Sequence, residues 1–134
     1  MLKVEGGCHC GAIRFEAEVD PARTTLCHCT DCQQLSGGPY RATVPAPAET
    51  FRLSAGRPRS YIKTAESGAR RRHAFCGECG TPIYATSVET PLSYSLRIGA
   101  LDQRRALTPK RQIWRRSALP WCDNLEDVPI EPRT

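Results

Sequence analysis

The sequence predicts a mostly β protein that leans on bound metal for stability. Three observations carry that expectation: one strongly alternating segment, frequent turn-forming residues, and tight groups of cysteines. From Ala12 to Val19, the residues Ile13, Phe15, Ala17 and Val19 alternate with Arg14, Glu16 and Glu18. That period of two gives a strand one dry face and one wet face. Shorter strands are expected at Tyr40–Val44, Thr50–Leu53, Ser60–Lys63, Arg72–Phe75, Ile83–Thr86, Tyr94–Ile98 and Gln112–Arg115. Eleven prolines and ten glycines interrupt the chain, leaving little room for a long helix. One helical turn after Cys29, through Asp31–Leu35, and another turn near Leu101–Arg104 are expected. With no internal repeat or linker, residues 1–134 are read as one domain, with an irregular tail from about Asp123.

The hydrophobic share of 40% includes eight cysteines, so the apolar core is modest. The opening MLKVEGGCHC has no apolar run of signal-peptide length, and no segment approaches the roughly 20 apolar residues of a membrane helix. The expected location is therefore the reducing cytoplasm, where disulfide frameworks are rare and cysteines serve metal binding or catalysis. The formal charge of +5 invites a nucleic-acid reading. Seven thiolates holding two zinc ions would lower it to about +2, so much of the arginine excess balances metal centres and nucleic acid is not the expected partner.

The cysteines form three groups: Cys8-His9-Cys10, Cys27-His28-Cys29-Thr30-Asp31-Cys32 and Cys76-Gly77-Glu78-Cys79, with Cys122 apart. In extended chain, residues i and i+2 share a side, so Cys-x-Cys presents two sulfurs together. Cys-x-x-Cys on a tight turn does the same for one ion, and glycines flank the groups to permit such turns. Pairing Cys8 and Cys10 with Cys76 and Cys79 closes a tetrahedral four-thiolate site. Cys27, Cys29 and Cys32 then provide three ligands and an open position, the pattern of a catalytic zinc site. A ribbon-like pairing of Cys29 and Cys32 with Cys76 and Cys79 satisfies the spacing equally well. Neither ferredoxin spacing is present. Alternation turns His9 and His28 away from the metal, to the surface or to a supporting position. His73, in Arg70-Arg71-Arg72-His73, reads as part of a solvated face. Cys122 reads as a half-buried bystander, and Trp114 and Trp121 as core or lid residues.

Four stretches in order resemble the glutathione-dependent formaldehyde-activating enzyme family, also called centromere-protein-V-like. They are Gly7-Cys8-His9-Cys10-Gly11, then Cys27 to Cys32 with Ser36-Gly37 after it, then Phe75-Cys76-Gly77-Glu78-Cys79-Gly80-Thr81-Pro82, and Ile113 with Pro120-Trp121. The resemblance implies a β-tent fold of small antiparallel sheets stapled by zinc. It implies a structural zinc at Cys8, Cys10, Cys76 and Cys79, and an open, exchangeable zinc at Cys27, Cys29 and Cys32, which become the catalytic residues. The reaction it implies is carbon–sulfur lyase chemistry, joining glutathione and formaldehyde as S-hydroxymethylglutathione. The chain departs from the pattern at Gln112, where members often carry His.

An open zinc site lowers the pKa of a bound thiol, which supplies the nucleophile that formaldehyde needs. Glutathione carries two carboxylates, and Arg57, Arg59, Arg70, Arg71 and Arg72 are the expected residues to hold them. Two other functions fit the same cysteines: a non-catalytic zinc module that contacts protein or nucleic acid through a basic face, and a redox-linked zinc protein that releases metal on oxidation.

Overall fold

The computed structural model describes residues 1–133. Its elements in chain order are β1 (Leu2–Gly7), β2 (Arg14–Val19), β3 (Thr25–Cys27), α1 (Thr30–Ser36), β4 (Arg41–Pro47), β5 (Arg52–Ala55), β6 (Arg59–Thr64), β7 (Arg70–Phe75), β8 (Pro82–Ser87), β9 (Ser93–Arg97) and β10 (Arg111–Ile113). Short 3-10 turns link several of them, and α1 is the single α-helix among the described residues. The mostly β expectation holds. No helix among those residues is long and apolar enough to cross a membrane.

Two sheets divide the strands. The smaller has the order β1-β2-β5, and the larger the order β10-β3-β4-β9-β8-β7-β6. Every pairing is antiparallel except β10 with β3, which is parallel. The alternation read at Ala12–Val19 becomes β2, with Phe15, Ala17 and Val19 buried toward the larger sheet. Between the sheets lie Val4, Phe15, Val44, Ala46, Ile83, Leu96 and Leu101, all buried. The aromatic Phe51 stacks on Tyr94 at 4.4 Å and meets Tyr84 edge-on at 5.3 Å, closing that layer.

Two strands escaped the sequence reading. In β1 the apolar alternation is only Leu2 and Val4 before two glycines, and β3 is three residues long, so neither offers enough period to be seen. β4 runs through Pro45 and Pro47, farther than the predicted Tyr40–Val44. β5 lies two residues downstream of the predicted Thr50–Leu53, because a 3-10 turn occupies Ala48–Thr50. The predicted Asp31–Leu35 turn is the body of α1. Trp114 and Trp121, expected in a core or lid, are 50% and 55% exposed.

Gly6 sits where the two sheets touch, bridging to Leu101 outside the regular strands. A Cβ there would overlap the Ala100 carbonyl oxygen and come within 2.7 Å of Phe15 Cζ. Gly6→Ala should therefore destabilise the protein by about 2 kcal/mol, in the range of core overpacking. Urea denaturation in metal-replete buffer measures it, and a change under 0.5 kcal/mol, the order of an ordinary surface substitution, would contradict this packing.

Candidate metal centres

Cys8 and Cys10 follow the end of β1, and Cys76 and Cys79 follow the end of β7. All four sulfurs lie within 4.8 Å of one another. Cys8 Sγ is 3.6 Å from Cys10 Sγ, and Cys10 Sγ is 3.8 Å from Cys76 Sγ. A tetrahedral ion with metal–sulfur bonds of about 2.3 Å has sulfur–sulfur edges of about 3.8 Å, so the cluster has the dimensions of a four-thiolate site. All eight cysteines are free thiols. The backbone also fits. The Ile13 N–H donates to Cys8 Sγ at 3.2 Å, and the N–H groups of Glu78 and Cys79 donate to Cys76 Sγ at 3.4 and 3.5 Å. Such donors stabilise thiolate over thiol. The Thr81 hydroxyl and N–H, helped by the Cys10 N–H, pull the Cys79 thiol down to about 5. Gly11 and Gly80, with φ of 83° and 82°, make the left-handed turns that close the two loops.

The second group is local. The sulfurs of Cys27, Cys29 and Cys32 also lie within 4.8 Å of one another. Cys27 ends β3, and Cys29 caps α1, its sulfur accepting the Cys32 N–H at 3.3 Å. Burial and the thiols of Cys29 and Cys27 push the buried Cys32 thiol well up. At Cys29 burial acts in the same sense, but the Cys32 thiol and N–H outweigh it and hold that thiol below its ordinary value. Three sulfurs that cannot all ionise side by side fit a thiophilic cation, which would remove the repulsion. The four-plus-three grouping is thus formed, and the ribbon-like pairing of Cys29 and Cys32 with Cys76 and Cys79 is not. Cys122 belongs to neither group; its sulfur meets Arg115 Nη1 at 3.8 Å.

His28 corrects part of the sequence reading. It stands between two ligand positions but is 1% exposed rather than at the surface. Its Nε2 lies 2.7 Å from Gln112 Oε1, which also receives Arg115 Nη1, so His28 donates through Nε2 and its Nδ1 is an unpartnered lone pair. Tyr40 covers the ring edge-on at 5.3 Å, while Gln33 Nε2 ties the His28 carbonyl to that of Ser117 at 2.9 and 3.0 Å. These contacts hold the Cys27–Cys29 segment in place. His9 is exposed, as expected.

A cavity of about 510 Å³ opens where β4 and β8 begin and β7 and β9 end, in the size range of small-molecule sites. Leu35 and Ser36 of α1 form one side and Gly80 and Thr81 of the four-thiol loop another. Arg41, His73 and Arg97 line it as well. Arg41 is directly across from Cys27 in the strand register, which places the cavity beside the three-thiol group. Of the arginines singled out in the sequence, Arg57 is exposed, Arg59 packs beside Gly77, and Arg70 pairs with Glu89 at 2.6 Å. Arg72 is half-buried and lies across the ladder from Thr86, and Arg71 is near enough to Arg41 to feel its charge. Arg41 and Arg97 were missed because they come from strands distant in sequence; the one signal was that Arg41 opens the strand after α1.

These features define a cysteine-rich β protein with two thiol clusters able to hold metal. Residues 3–117 match the family model described as glutathione-dependent formaldehyde-activating enzyme, and the chain belongs to that family. A Halomonas elongata protein named "Putative glutathione-dependent formaldehyde-activating enzyme" is 26% identical over 115 residues, 82% of this chain and 73% of the relative. An uncharacterized lyase of Schizosaccharomyces pombe is 31% identical over 84 residues, 63% of this chain and 58% of the relative. The crystal structure of a Rhodobacter sphaeroides protein superposes with a TM-score of 0.63 at 22% identity, covering 81% of this chain and 98% of that one. That likeness shows the shared fold.

His73 is not on a solvated face. It is half-buried, and its Nδ1 lies 3.3 Å from Arg97 Nη2, whose N–H it must accept as a neutral imidazole. Burial, then the charges of Arg97 and Arg41, push its pKa from 6.5 down to about 4. The unfolded chain takes up a proton near pH 6.5 that folded His73 accepts only near pH 4, so this contribution is complete above pH 6.5 and lost as pH falls toward 4. His73→Gln keeps an acceptor for Arg97 without the titration. Unfolding free energies at pH 7 and pH 5 should fall more for the parent protein than for this variant, the metal-linked loss being common to both. Equal losses would contradict the shift.

Proposed function

We propose that this protein is a zinc-dependent carbon–sulfur lyase-type enzyme acting on a glutathione adduct, with reversible formation of S-hydroxymethylglutathione as the leading reaction. The observation that carries the reading is the four-plus-three grouping of sulfurs: four would saturate a tetrahedral ion, and three would leave a position for a substrate thiol. Family membership and the lyase name of the S. pombe relative support the reaction class. In this reading Cys8, Cys10, Cys76 and Cys79 hold a structural zinc, and Cys27, Cys29 and Cys32 hold an exchangeable, catalytic one. Glutathione as substrate and eight free thiols both suit the cytoplasm.

The overall step adds the thiol sulfur to the formaldehyde carbon; the carbonyl π pair becomes an oxygen lone pair, and the thiol proton ends on that oxygen. Zinc at the three-thiol cluster would keep the substrate thiol ionised at neutral pH. The chain's part is placement. The Cys32 N–H fixes Cys29, while Gln33 and Gln112 clamp the His28 segment from both sides. The cavity walls of Leu35, Ala42, Phe75, Pro82 and Tyr84 reduce water around the reacting carbon, and Ser36, Tyr40 and Thr81 also line it.

Two measurements test this reading. Cys79→Ser should destabilise the protein by several kcal/mol, as loss of a structural zinc does, whereas Cys29→Ser should remain folded and lose one of two zinc ions. Elemental analysis with thermal melts reads both, and equal unfolding by the two variants would reject the division of labour. With cobalt in place of zinc, glutathione should alter the thiolate charge-transfer and ligand-field bands. S-methylglutathione, which has no ionisable thiol, should bind at least ~1.4 kcal/mol more weakly, roughly tenfold. Unchanged bands at saturation, or equal affinities, would mean that the tripeptide's sulfur does not reach the metal.

A further inference from the structure

The cavity beside the three-thiol group holds more positive charge than its surroundings neutralise. Arg97 is 8% exposed, and every partner of its guanidinium is neutral: Nη1 donates to the Ser95 carbonyl at 3.3 Å and to Ser95 Oγ at 3.5 Å, and Nη2 donates to His73 Nδ1. Its Nε–H has no partner among the described residues. Arg41 lines the same cavity; burial and then the Arg41 charge lower the Arg71 guanidinium, and Arg97 feels both of its neighbours. Burial followed by Arg41 brings the Arg97 guanidinium down to about 9, far below its ordinary range.

None of these three arginines has a carboxylate within ion-pair distance among the described residues. The ion pairs there are Arg14–Asp102, Arg52–Glu16, Lys63–Asp31, Arg70–Glu89 and Arg115–Asp123. Asp31, the acid nearest the three-thiol group, is engaged by Lys63 at 2.6 Å and reaches Arg41 only at longer range. Zinc with three thiolates would add one net negative charge against three guanidiniums. Two positive charges remain uncompensated around a pocket that Arg41 and Arg97 line and that Arg71 adjoins. A buried guanidinium without an anion is costly, and side-on donors such as Nε–H match a carboxylate.

We propose that Arg41 and Arg97, backed by Arg71, form the subsite that holds a carboxylate of the thiol substrate. The inference deepens the reading above and rests on it for the thiol. Seating the carboxylate on Arg41 and Arg97 leaves the sulfur to face Cys27, Cys29 and Cys32 across the adjacent strand. These arginines are positioning residues: they select and orient the substrate and take no part in proton transfer.

The test is a calorimetric titration of the zinc-loaded full chain with glutathione, its glycine monoethyl ester and its diethyl ester. Each is repeated on Arg41→Gln, a half-buried position, and on Arg97→Lys, with zinc content and circular dichroism confirming the fold. Glutathione should bind the parent protein at least tenfold more tightly than the diester. A loss already complete with the monoester identifies the glycyl carboxylate, and a loss only with the diester identifies the glutamyl one. Arg41→Gln should lower glutathione affinity to that of the weak ester while leaving the ester's own affinity unchanged. Equal binding of acid and diester, or equal weakening of both by Arg41→Gln, would overturn the subsite. The cobalt bands report sulfur arrival separately. If N-acetylglycine, which has no sulfur, binds the parent and loses affinity in Arg41→Gln while glutathione leaves the bands unchanged, the carboxylate subsite stands and the thiol reading fails. If neither N-acetylglycine nor glutathione shows Arg41-dependent binding, the subsite is rejected.

Discussion

Cys8 and Cys10 leave the last residue of β1, Cys76 and Cys79 leave the last of β7, and their sulfurs converge although the two strands belong to different sheets. This convergence brings the ends of strands from the two sheets together. Around it the backbone is already committed: amide groups of Ile13, Glu78 and Cys79 point at the sulfurs, and Gly6 lets β1 approach Ala100 and Phe15 more closely than any side chain would allow. The apolar layer between the sheets is thin, with Phe15, Ile13, Ile83, Leu96 and Leu101 as its largest aliphatic and aromatic members below 2% exposure. A chain with so modest a core gains most from a point where four side chains can share one ion.

The three-thiol group obeys different physics. It lies within six residues of chain, at a strand end and the first turn of the only α-helix among the described residues, so local chain geometry brings its sulfurs together while Gln112 and Tyr40 hold the segment from outside. What the sheets contribute is the surroundings. Register puts Arg41 against Cys27, pairing of β4 with β9 carries Arg97 alongside, and pairing of β7 with β8 brings His73 to the same end. The local motif provides ligands, and the long-range strand pairing provides the pocket. In the proposed reading, the first would govern metal binding and the second would govern which thiol is accepted.

The same division explains the charge. A formal +5 spread over exposed arginines suggests a polyanion surface. The charge is instead unevenly placed: Arg14 and Arg52 are neutralised by Asp102 and Glu16, whereas Arg41 and Arg97 line the cavity without an acidic partner and Arg71 stands near them. His73 follows from that cluster: crowded by cations and partly desolvated, it stays neutral and serves as an acceptor for Arg97.

Several features were legible in the residues themselves. The Ala12–Val19 alternation encoded β2, because period two survives wherever one face of a sheet is buried. The cysteine spacings encoded two clusters, because Cys-x-Cys and Cys-x-x-Cys fix sulfur proximity within a few bonds. Which pairs would join was open on spacing alone, since joining Cys8 and Cys10 to Cys76 and Cys79 spans about half of the chain and depends on where β1 and β7 end. β1 and β3 were too short to announce themselves, and their strand conformation is stabilised by partners such as Val19, Ala17 and Thr43 across the ladder. The basic residues were misread for the same reason. Arg70-Arg71-Arg72 is conspicuous in sequence, yet alternation sends neighbours to opposite faces, and the arginines that meet the cavity are single residues from β4 and β9. The sequence alone therefore determined the β character and the groups of neighbouring thiols, which follow from short-range covalent geometry. Tertiary structure decided the pairing of the clusters and the electrostatics of the cavity, because both depend on strand register between segments distant in the chain.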